Sequence, residues 1–261
     1  MKKKILQQKA KIIANKKVGP AYFEIILVAG GISRAAYPGQ FVQVKVSDSC
    51  QPLLRRPLGI HRVSGANILL LYEVLGPATK ILAKRKAGEF LDILGPLGNG
   101  FDCGVGGQPP VLVAGGMGVA PLLFLAEKLK RLKPLVLIGA RSKAQILCEK
   151  EFKKLGCSVK IATDDGSQGF KGKVTDLLRK VLLENSRTRE LKNSIYTCGP
   201  RPMLKEISKI AKNYRIPAQV SLEEHMSCGI GACLGCVVNT KAGFQRVCKE
   251  GPVFNTDEVI L

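Results

Sequence analysis

The sequence contains no tryptophan, only two histidines and few aromatic residues, which make up 5% of its 261 residues. It has no apolar run of 18 residues, so we predict no transmembrane helix and no membrane partner. The lysine-rich start is followed by polar and charged residues instead of a hydrophobic stretch, so we expect no signal peptide. Neither His61 nor His225 belongs to a metal-site pattern, and we expect no catalytic role for them.

Acidic residues are also scarce, since 20 aspartates and glutamates stand against 41 lysines and arginines, for a formal charge of +21. The basic residues are spread along the chain, without an RNA-binding signature or a dense run with interleaved aromatics. We therefore expect no nucleic-acid partner. A diffusely basic surface that complements an acidic protein is the better interpretation.

Nine cysteines are present, and their distribution does not resemble a disulfide scaffold. Four are clustered near the end of the sequence, and the others are scattered through regular segments: Cys50, Cys103, Cys148, Cys157 and Cys198. Free thiols and a thiolate-bound metal both fit a reducing compartment, so we predict a cytoplasmic protein.

The clustered cysteines have the spacing C-x4-C-x2-C, with the last one after eleven further residues: Cys228, Cys233, Cys236 and Cys248. This spacing matches the plant-type ligand pattern of a [2Fe–2S] cluster. Gly229, Gly231 and Gly235 would permit a tight wrap and let backbone N–H groups turn towards the sulfurs. Zinc is the main alternative, although four-cysteine zinc sites usually come as two C-x2-C pairs and only one is present. The other alternative is four ordinary buried cysteines that bind no metal.

The first hundred residues favour β-structure. Short apolar runs at 22–28, 40–46 and 68–74 are separated by turn-forming residues, as in a small antiparallel barrel. In the second run Val42, Val44 and Val46 would share one face, with Gln43 and Lys45 on the other and Phe41 an exception on that second face.

After a linker candidate at 105–110 the pattern changes to alternating strands and helices, which predicts a doubly wound parallel sheet. Predicted strands at 111–114, 135–140, 159–162 and 194–198 alternate with predicted helices at 122–133, 144–155, 174–183 and 202–214. From residue 218 the cysteine-rich segment would form a small appendage. We therefore predict an α+β protein of three domains, at 1–104, 105–217 and 218–261.

Two glycine-containing loops follow strands of this predicted sheet. The first is G-G-x-G-x-A-P, where a phosphorylated ligand could approach backbone N–H groups at a helix N-terminus. Its candidate binding residues are Gly115, Gly116, Gly118, Val119, Ala120 and Pro121. The second loop, at 197–203, contributes Gly199 and Pro200. Both loops could face one crevice, and a tight turn without a ligand is the alternative.

Together, G-G-x-G-x-A-P and C-G-P-x-x-M resemble the ferredoxin–NADP reductase superfamily. This resemblance implies a flavin-binding barrel joined to a nicotinamide-binding α/β domain. It implies that the first loop cradles the dinucleotide and that Cys198, as the catalytic residue, lies close to the nicotinamide carbon that exchanges hydride. Without the resemblance, Cys198 would be a small buried residue at a strand end.

The same resemblance places a flavin motif in the barrel. Arg56 would meet the FAD pyrophosphate, a charge-assisted pairing that suits a guanidinium, and the following residues would line the isoalloxazine ring: Pro57, Leu58 and Gly59. The second strand and the pyrophosphate turn correspond to Leu71, Tyr72, Glu73, Ala78 and Thr79. The superfamily usually has Ser or Thr in place of Gly59, Arg in place of Glu73 and Gly in place of Ala78.

Four stretches look like the electron-transfer subunits of class 1B dihydroorotate dehydrogenases: L-L-R-R-P at 53–57, D-I-L-G-P-L-G-N-G-F at 92–101, S-L-E-E-H-M-S-C-G-I-G-A-C at 221–233, and V-C-K-E-G-P-V-F at 247–254. The resemblance implies that a separate subunit with FMN oxidises dihydroorotate to orotate in pyrimidine biosynthesis. Electrons would then cross the [2Fe–2S] cluster to FAD and reduce NAD⁺. It also implies a heterotetramer of two copies of each chain, with no dihydroorotate site in this one.

The choice of NAD over NADP depends on Asp164 and Asp165, which follow a predicted strand and would repel a 2′-phosphate. A hydrated acidic turn is the alternative. Other functions stay open: the small subunit of an NADH-dependent ferredoxin:NADP oxidoreductase or of a sulfide dehydrogenase, a redox-sensing module, and a zinc-stabilised interaction protein.

Overall fold

The structure is a computed structural model that describes residues 5–104, 108–186 and 194–261. The predicted linker at 105–110 therefore lies partly outside the described residues. None of the helices described is both long and apolar enough to cross a membrane.

The N-terminal part is a closed six-stranded barrel in which every neighbouring pair is antiparallel. Its strand order is β1-β2-β5-β4-β3-β6, with the bounds β1 Leu6–Lys17, β2 Tyr22–Val28, β3 Phe41–Lys45, β4 Arg56–Ser64, β5 Asn67–Glu73 and β6 Phe90–Leu97. Two short helices cover it, α1 (Gly30–Ala35) and α2 (Pro77–Lys84). The predicted barrel is confirmed.

The alternation along β3 decides what faces the barrel interior. Val42 and Val44 are 0% exposed and Val46 is 1% exposed, and all three belong to the barrel core. Phe41 packs instead with residues of the cysteine-rich segment. Gln43 points away from the barrel core, yet it is 0% exposed, because the cysteine-rich segment covers that outer face.

The second part is a seven-stranded sheet of order β10-β9-β8-β7-β11-β12-β15, parallel except for the last strand. Its strands are β7 Val111–Gly115, β8 Leu135–Ala140, β9 Ser158–Thr163, β10 Phe170–Lys171, β11 Ile195–Cys198, β12 Ala218–Ser221 and β15 Val253–Asn255. The helices are α3 Val119–Leu129, α4 Glu149–Lys154, α5 Val174–Ser186 and α6 Arg201–Tyr214. The predicted parallel α/β sheet is confirmed.

Two helices differ from prediction at their starts. The first begins at Val119, directly after the glycine loop, and ends in a 3₁₀ turn at Lys130–Leu132. The helix predicted at 144–155 is shorter, because Cys148 has a left-handed backbone with φ of +60° and helix α4 begins only after it.

The cysteine-rich segment is less separate than the predicted appendage. Strand β12, at its start, pairs with β11, and β15, near its end, pairs with β12. Between them lie a loop at 222–236, which we call the cysteine loop, and a hairpin formed by β13 (Val237–Thr240) and β14 (Gly243–Arg246). Both ends of the segment that begins at residue 218 extend the α/β sheet, which fixes the cysteine loop against the rest of the fold.

A buried histidine joins the barrel to helix α3. His61 on β4 is 2% exposed, and its Nδ1–H donates to the carbonyl of Ala120 over 2.8 Å. Burial lowers the pKa of His61, so the folded chain keeps the imidazole neutral.

This contact predicts a pH-dependent stability. Below the unfolded-state pKa of about 6.5 the unfolded chain takes up a proton that the folded chain resists, so the free energy of unfolding falls as the pH falls. We expect His61 to contribute a slope of up to ~1.4 kcal/mol per pH unit between about pH 6.5 and 5. Urea unfolding at several pH values measures it. The slope should flatten in His61→Gln and persist in His225→Gln, and an unchanged slope in both would contradict the assignment.

Candidate functional site

Two adjoining cavities lie between the barrel and the α/β sheet. The barrel cavity, of about 540 Å³, is lined from the barrel side by eight of the predicted flavin residues: Arg56, Pro57, Leu58, Gly59, Leu71, Tyr72, Glu73 and Thr79. From the sheet side it is lined by Ala120, Pro121 and Cys198. Ala78, the remaining predicted residue, packs its side chain in the barrel core instead.

The neighbouring arginines of the flavin motif have different roles. Arg55 pairs with Asp92 over 2.6 Å and also donates to the Asp92 carbonyl, so it ties the motif to strand β6. Arg56 lines the cavity and donates to the carbonyl of Leu54 over 2.6 Å. Arg56 is therefore the guanidinium placed to meet an anionic ligand in the barrel cavity.

Space for a ligand is visible at two glycines of this cavity region. A Cβ atom added to Gly59 or to Gly76 would meet nothing within 4 Å. Gly76 precedes helix α2, where the hydroxyl of Thr79 accepts the backbone N–H groups of Leu75 and Gly76. An open, largely apolar wall with one guanidinium fits a flavin dinucleotide.

The second cavity, the loop cavity, has a volume of about 1200 Å³ and lies at the carboxyl ends of the parallel strands. The two glycine loops line it with five predicted residues: Gly115, Gly116, Gly118, Gly199 and Pro200. Of the others, Ala120 and Pro121 line the barrel cavity, and Val119 is buried in the core below both. This is the position where open α/β sheets bind dinucleotides.

The two loops interlock through backbone contacts that only glycine permits. A Cβ on Gly118 would lie 1.9 Å from the carbonyl oxygen of Cys198. A Cβ on Gly199 would lie 2.5 Å from Met203 Cε and 3.0 Å from the backbone of Gly115. Gly118 therefore lies at van der Waals distance from the second loop, and Met203 packs against both loops. These contacts set the shape of the cavity floor.

Four residues line both cavities, and so mark where two ligands would meet: Glu73, Leu75, Met117 and Glu223. Glu223 is exposed on the surface that the cavities share, and desolvation by the surrounding protein raises the pKa of its carboxyl group. Cys198 lies in the same region at 1% exposure, and burial raises its pKa well above the usual range of a thiol. Cys198 therefore stays a neutral thiol, suited to packing against a ring and not to nucleophilic attack.

Sequence reasoning missed Met117 and Glu223. Met117 is the variable position of the G-G-x-G loop. Glu223 lies in the S-L-E-E-H stretch, which supported the family resemblance but was not predicted to bind a ligand. The signal for Glu223 was its place two residues after a strand that, in the folded sheet, adjoins the strand of Cys198.

The acidic turn after strand β9 is only partly exposed to the loop cavity. Asp164 lines it together with the basic residues Arg141 and Lys173. Asp165 accepts a hydrogen bond from the backbone N–H of Ser167 over 2.9 Å. Its carboxylate therefore caps the turn, as in the alternative of a hydrated acidic turn. The charge at this end of the cavity is therefore mixed.

The four cysteines of the C-terminal segment come together as two pairs of thiols. Cys228 contacts Cys233, and Cys236 contacts Cys248. Three backbone N–H groups donate to their sulfurs: Gly231 to Cys248 over 3.1 Å, Ala232 to Cys228 over 3.3 Å, and Cys248 to Cys236 over 3.4 Å. The structure places no three His, Cys, Asp or Glu side chains of the described ranges together as ligands of a single metal ion.

The thiol pKa values shift in opposite directions at two of the cysteines, and burial raises the pKa of Cys248 to about 12. Although burial opposes ionisation of Cys228, N–H groups of Ile230, Cys233 and Ala232 lower its pKa to about 6. Two thiol pairs surrounded by backbone donors fit two irons with two cysteines each.

Backbone geometry agrees with the predicted wrap at two of three glycines. Gly229 and Gly231 have φ of +71° and +83°. The positive φ expected at Gly235 is absent, and Leu234 has it instead, at +58°. The loop is fixed from outside by Arg246, which donates to the carbonyl of Gly231 over 2.8 Å and pairs with Glu250 over 2.5 Å.

The cysteine loop adjoins the barrel cavity. His225 and Met226 line that cavity, and Cys228 follows only two residues later. Two residues span at most about 7 Å, so Cys228 lies beside the cavity wall. The cysteine loop, the barrel cavity and the loop cavity therefore form one continuous series.

Comparisons with known proteins agree with this layout. Residues 223–260 match the family described as "Iron-sulfur cluster binding domain of dihydroorotate dehydrogenase B", and residues 112–209 match "Oxidoreductase NAD-binding domain". The "Dihydroorotate dehydrogenase B (NAD(+)), electron transfer subunit" of Desulforamulus reducens is 42% identical over 259 residues, which cover 96% of this chain and 97% of that protein.

Solved structures show the same architecture. A chain from the NADH-dependent reduced ferredoxin-NADP oxidoreductase structure, reported for flavin-based electron bifurcation, has a TM-score of 0.84 at 28% identity, covering 97% of this chain and 90% of that one. A ferredoxin NADP+ reductase from Neisseria gonorrhoeae with bound FAD and NADP shares the fold, with a TM-score of 0.67 at 16% identity over 80% of this chain and 91% of that one. The chain therefore belongs to the family of dihydroorotate dehydrogenase B (NAD(+)) electron transfer subunits, within the ferredoxin–NADP reductase superfamily.

Proposed function

We propose that this chain carries electrons between an FMN-containing catalytic subunit that oxidises dihydroorotate and NAD⁺, with FAD in the barrel cavity and a [2Fe–2S] cluster on Cys228, Cys233, Cys236 and Cys248. The observation that carries the proposal is the continuous series of cysteine loop, barrel cavity and loop cavity. A bound flavin supplies the exchange between two-electron hydride transfer and one-electron transfer, which a nicotinamide and an iron–sulfur cluster cannot make directly.

The chain's own residues bind and orient these groups. Arg56 pairs with the FAD diphosphate. Gly59 has no side chain, so only its backbone N–H can interact with the flavin at this position. Gly115, Gly116 and Gly118 let the nicotinamide dinucleotide approach the start of helix α3. Glu223 lies where the two cavities meet and Cys198 lines the barrel cavity, so these two residues position the nicotinamide against the flavin.

The partner subunit would dock at the cysteine loop. Cys233 is exposed, and Ile230 and Leu234 beside it are 47% and 59% exposed. Apolar side chains at the exposed end of the loop favour a protein contact that excludes water there. A heterotetramer of two copies of each subunit would bury two such loops, and native mass spectrometry of the purified complex measures its stoichiometry.

The test combines the chain with a dihydroorotate dehydrogenase B catalytic subunit. We expect dihydroorotate-dependent NAD⁺ reduction that neither protein shows alone. The Leu234→Glu variant should lose at least ~10-fold of this coupled rate, since a charge enters the apolar contact, and should keep NADH oxidation by artificial acceptors. Absence of coupled turnover with the wild-type chain would contradict the proposal.

A second candidate is a subunit that serves ferredoxin and NADP, favoured by the 0.84 TM-score to the bifurcating oxidoreductase. It predicts coupling to reduced ferredoxin and NADP⁺ in place of dihydroorotate. Coupled assays with dihydroorotate and with reduced ferredoxin separate the two, and we expect turnover with dihydroorotate only.

We also propose a cytoplasmic location. All nine cysteines lie within the described residues and none forms a disulfide, which fits a reducing compartment. Labelling of the scattered thiols in freshly lysed cells would show them reduced if this is right, and oxidised if it is wrong.

A further inference from the structure

A fully buried amide without a partner lies beneath the cysteine loop. The side chain of Gln43 is 0% exposed. Neither its Nε2 nor its Oε1 has a hydrogen-bond partner within the part of the chain that the structure describes. An unpaired buried amide is costly, so a group other than the polypeptide is expected to satisfy it.

The amide packs against Gly229, the residue that follows Cys228. A Cβ added to Gly229 would lie 2.6 Å from Gln43 Cγ and 2.7 Å from Gln43 Nε2. Gly229 directly follows Cys228 and has φ of +71°. The nitrogen end of the amide therefore packs against the backbone that begins the cysteine loop, and only glycine leaves room for it.

Gln43 pairs with one residue on each neighbouring strand, and its partner on β6 is Leu94. On strand β4 its register partner is Pro57, which lines the barrel cavity. Gln43 itself does not line that cavity. Its position is thus between the cysteine loop and the flavin wall, with the amide on the side of the cysteines.

We propose that Gln43 is a positioning residue that donates an amide N–H to the iron–sulfur cluster from the barrel side and raises its reduction potential. This inference rests on the proposed function. The donors that the cysteine-rich segment supplies to its own sulfurs are backbone N–H groups, among them those of Gly231, Ala232 and Cys248. Gln43 adds a donor from another part of the fold, so the barrel that binds the flavin also tunes the cluster. Donors to cluster sulfurs favour the reduced, more negatively charged state.

The test is a redox titration of the holo-chain, followed by EPR for the cluster and by visible absorbance for the flavin. Gln43→Met keeps the length of the side chain and removes its donors. We expect the cluster equilibrium to shift about tenfold towards the oxidised state, which is ~59 mV for one electron, with the flavin potential unchanged. The control Gln219→Met removes a buried amide on strand β12 whose hydrogen bonds go to the backbone of Asp102, and it should leave the cluster potential unchanged.

A second measurement uses the wild-type chain and does not depend on the variant folding. With side-chain ¹⁵N-labelled glutamine, pulsed EPR of the reduced cluster should show a nitrogen coupling from an amide side chain. An absent coupling, an unchanged cluster potential in Gln43→Met, or a shift confined to the flavin would each overturn the proposal. Failure of the wild-type chain to show any cluster signal would instead contradict the proposed function, so the two failures are distinguishable.

Discussion

Cys236→Ser is expected to remove the iron–sulfur cluster while the flavin still accepts electrons from NADH. Cys236 is 3% exposed, contacts Cys248 and accepts that residue's backbone N–H over 3.4 Å, so it belongs to the inner, protected thiol pair. Mutation of a residue that hydrogen-bonds a metal ligand typically costs about 10–100-fold in affinity or activity. Loss of the ligand itself should therefore lower coupled dihydroorotate-to-NAD⁺ turnover by about 100-fold or more. NADH oxidation by dyes should fall less than ~3-fold, because it needs only the two cavities.

The measurement is iron and sulfide content, EPR of the reduced protein and the two rates side by side. Cys157→Ser is the matched control, since Cys157 is also buried, at 7% exposure, but packs in the core of the α/β part. It should keep the cluster and both activities. A Cys236→Ser protein with full iron and sulfide content and an unchanged EPR signal would show that this cysteine is not a ligand.

Gly118→Ala is expected to destabilise the chain and weaken its use of NADH, because the added methyl group would lie 1.9 Å from the carbonyl oxygen of Cys198. This is a collision between backbone groups that no rotamer change relieves. Gly118 has φ of −59°, so the effect is steric and not conformational. We expect about 3 kcal/mol of destabilisation, the upper part of the range for overpacking. A shift of ~1 Å in the loop should also lower kcat/KM for NADH about 100-fold.

Two alanine controls separate the causes. A Cβ on Gly116 would meet nothing within 4 Å, but its φ of +54° is left-handed, so Gly116→Ala should cost only ~1–2 kcal/mol in chemical unfolding. A Cβ on Gly156 would also meet nothing within 4 Å, and its φ is +80°. Gly156 lines neither cavity, so Gly156→Ala should leave NADH oxidation unchanged. Wild-type stability and KM in Gly118→Ala would contradict the interlocked-loop interpretation.

The sequence predicted most of the fold because local patterns fix it. The valines of β3 alternate with the pleat, and the glycine loop lies between a buried strand and a helix, as its motif requires. Strand β1 went unrecognised since its twelve residues include four lysines that keep its outer face polar, so it lacks an apolar run. The extent of α4 was overestimated because nothing in the sequence around Cys148 signals its left-handed backbone.

The site was predictable where one motif holds all of its residues, as with the cysteine spacing and the two glycine loops. It was not predictable where residues meet only through the tertiary fold. Glu223 reaches the junction of the cavities because β12 joins the sheet, and Gln43 is buried because the cysteine loop packs onto the barrel. Leu234 has the left-handed φ expected of Gly235, since the constraint lies in the loop as a whole and not in one residue type.

The central claim is that a cluster on the four cysteines and a flavin in the barrel cavity exchange electrons within this one chain. Mixing anaerobic holo-chain with NADH and freezing samples over time tests it most directly. We predict that the flavin absorbance bleaches first and that the EPR signal of a reduced [2Fe–2S] cluster then appears without the partner subunit. Bleaching of the flavin while the cluster stays oxidised, with dithionite able to reduce it, would contradict the claim.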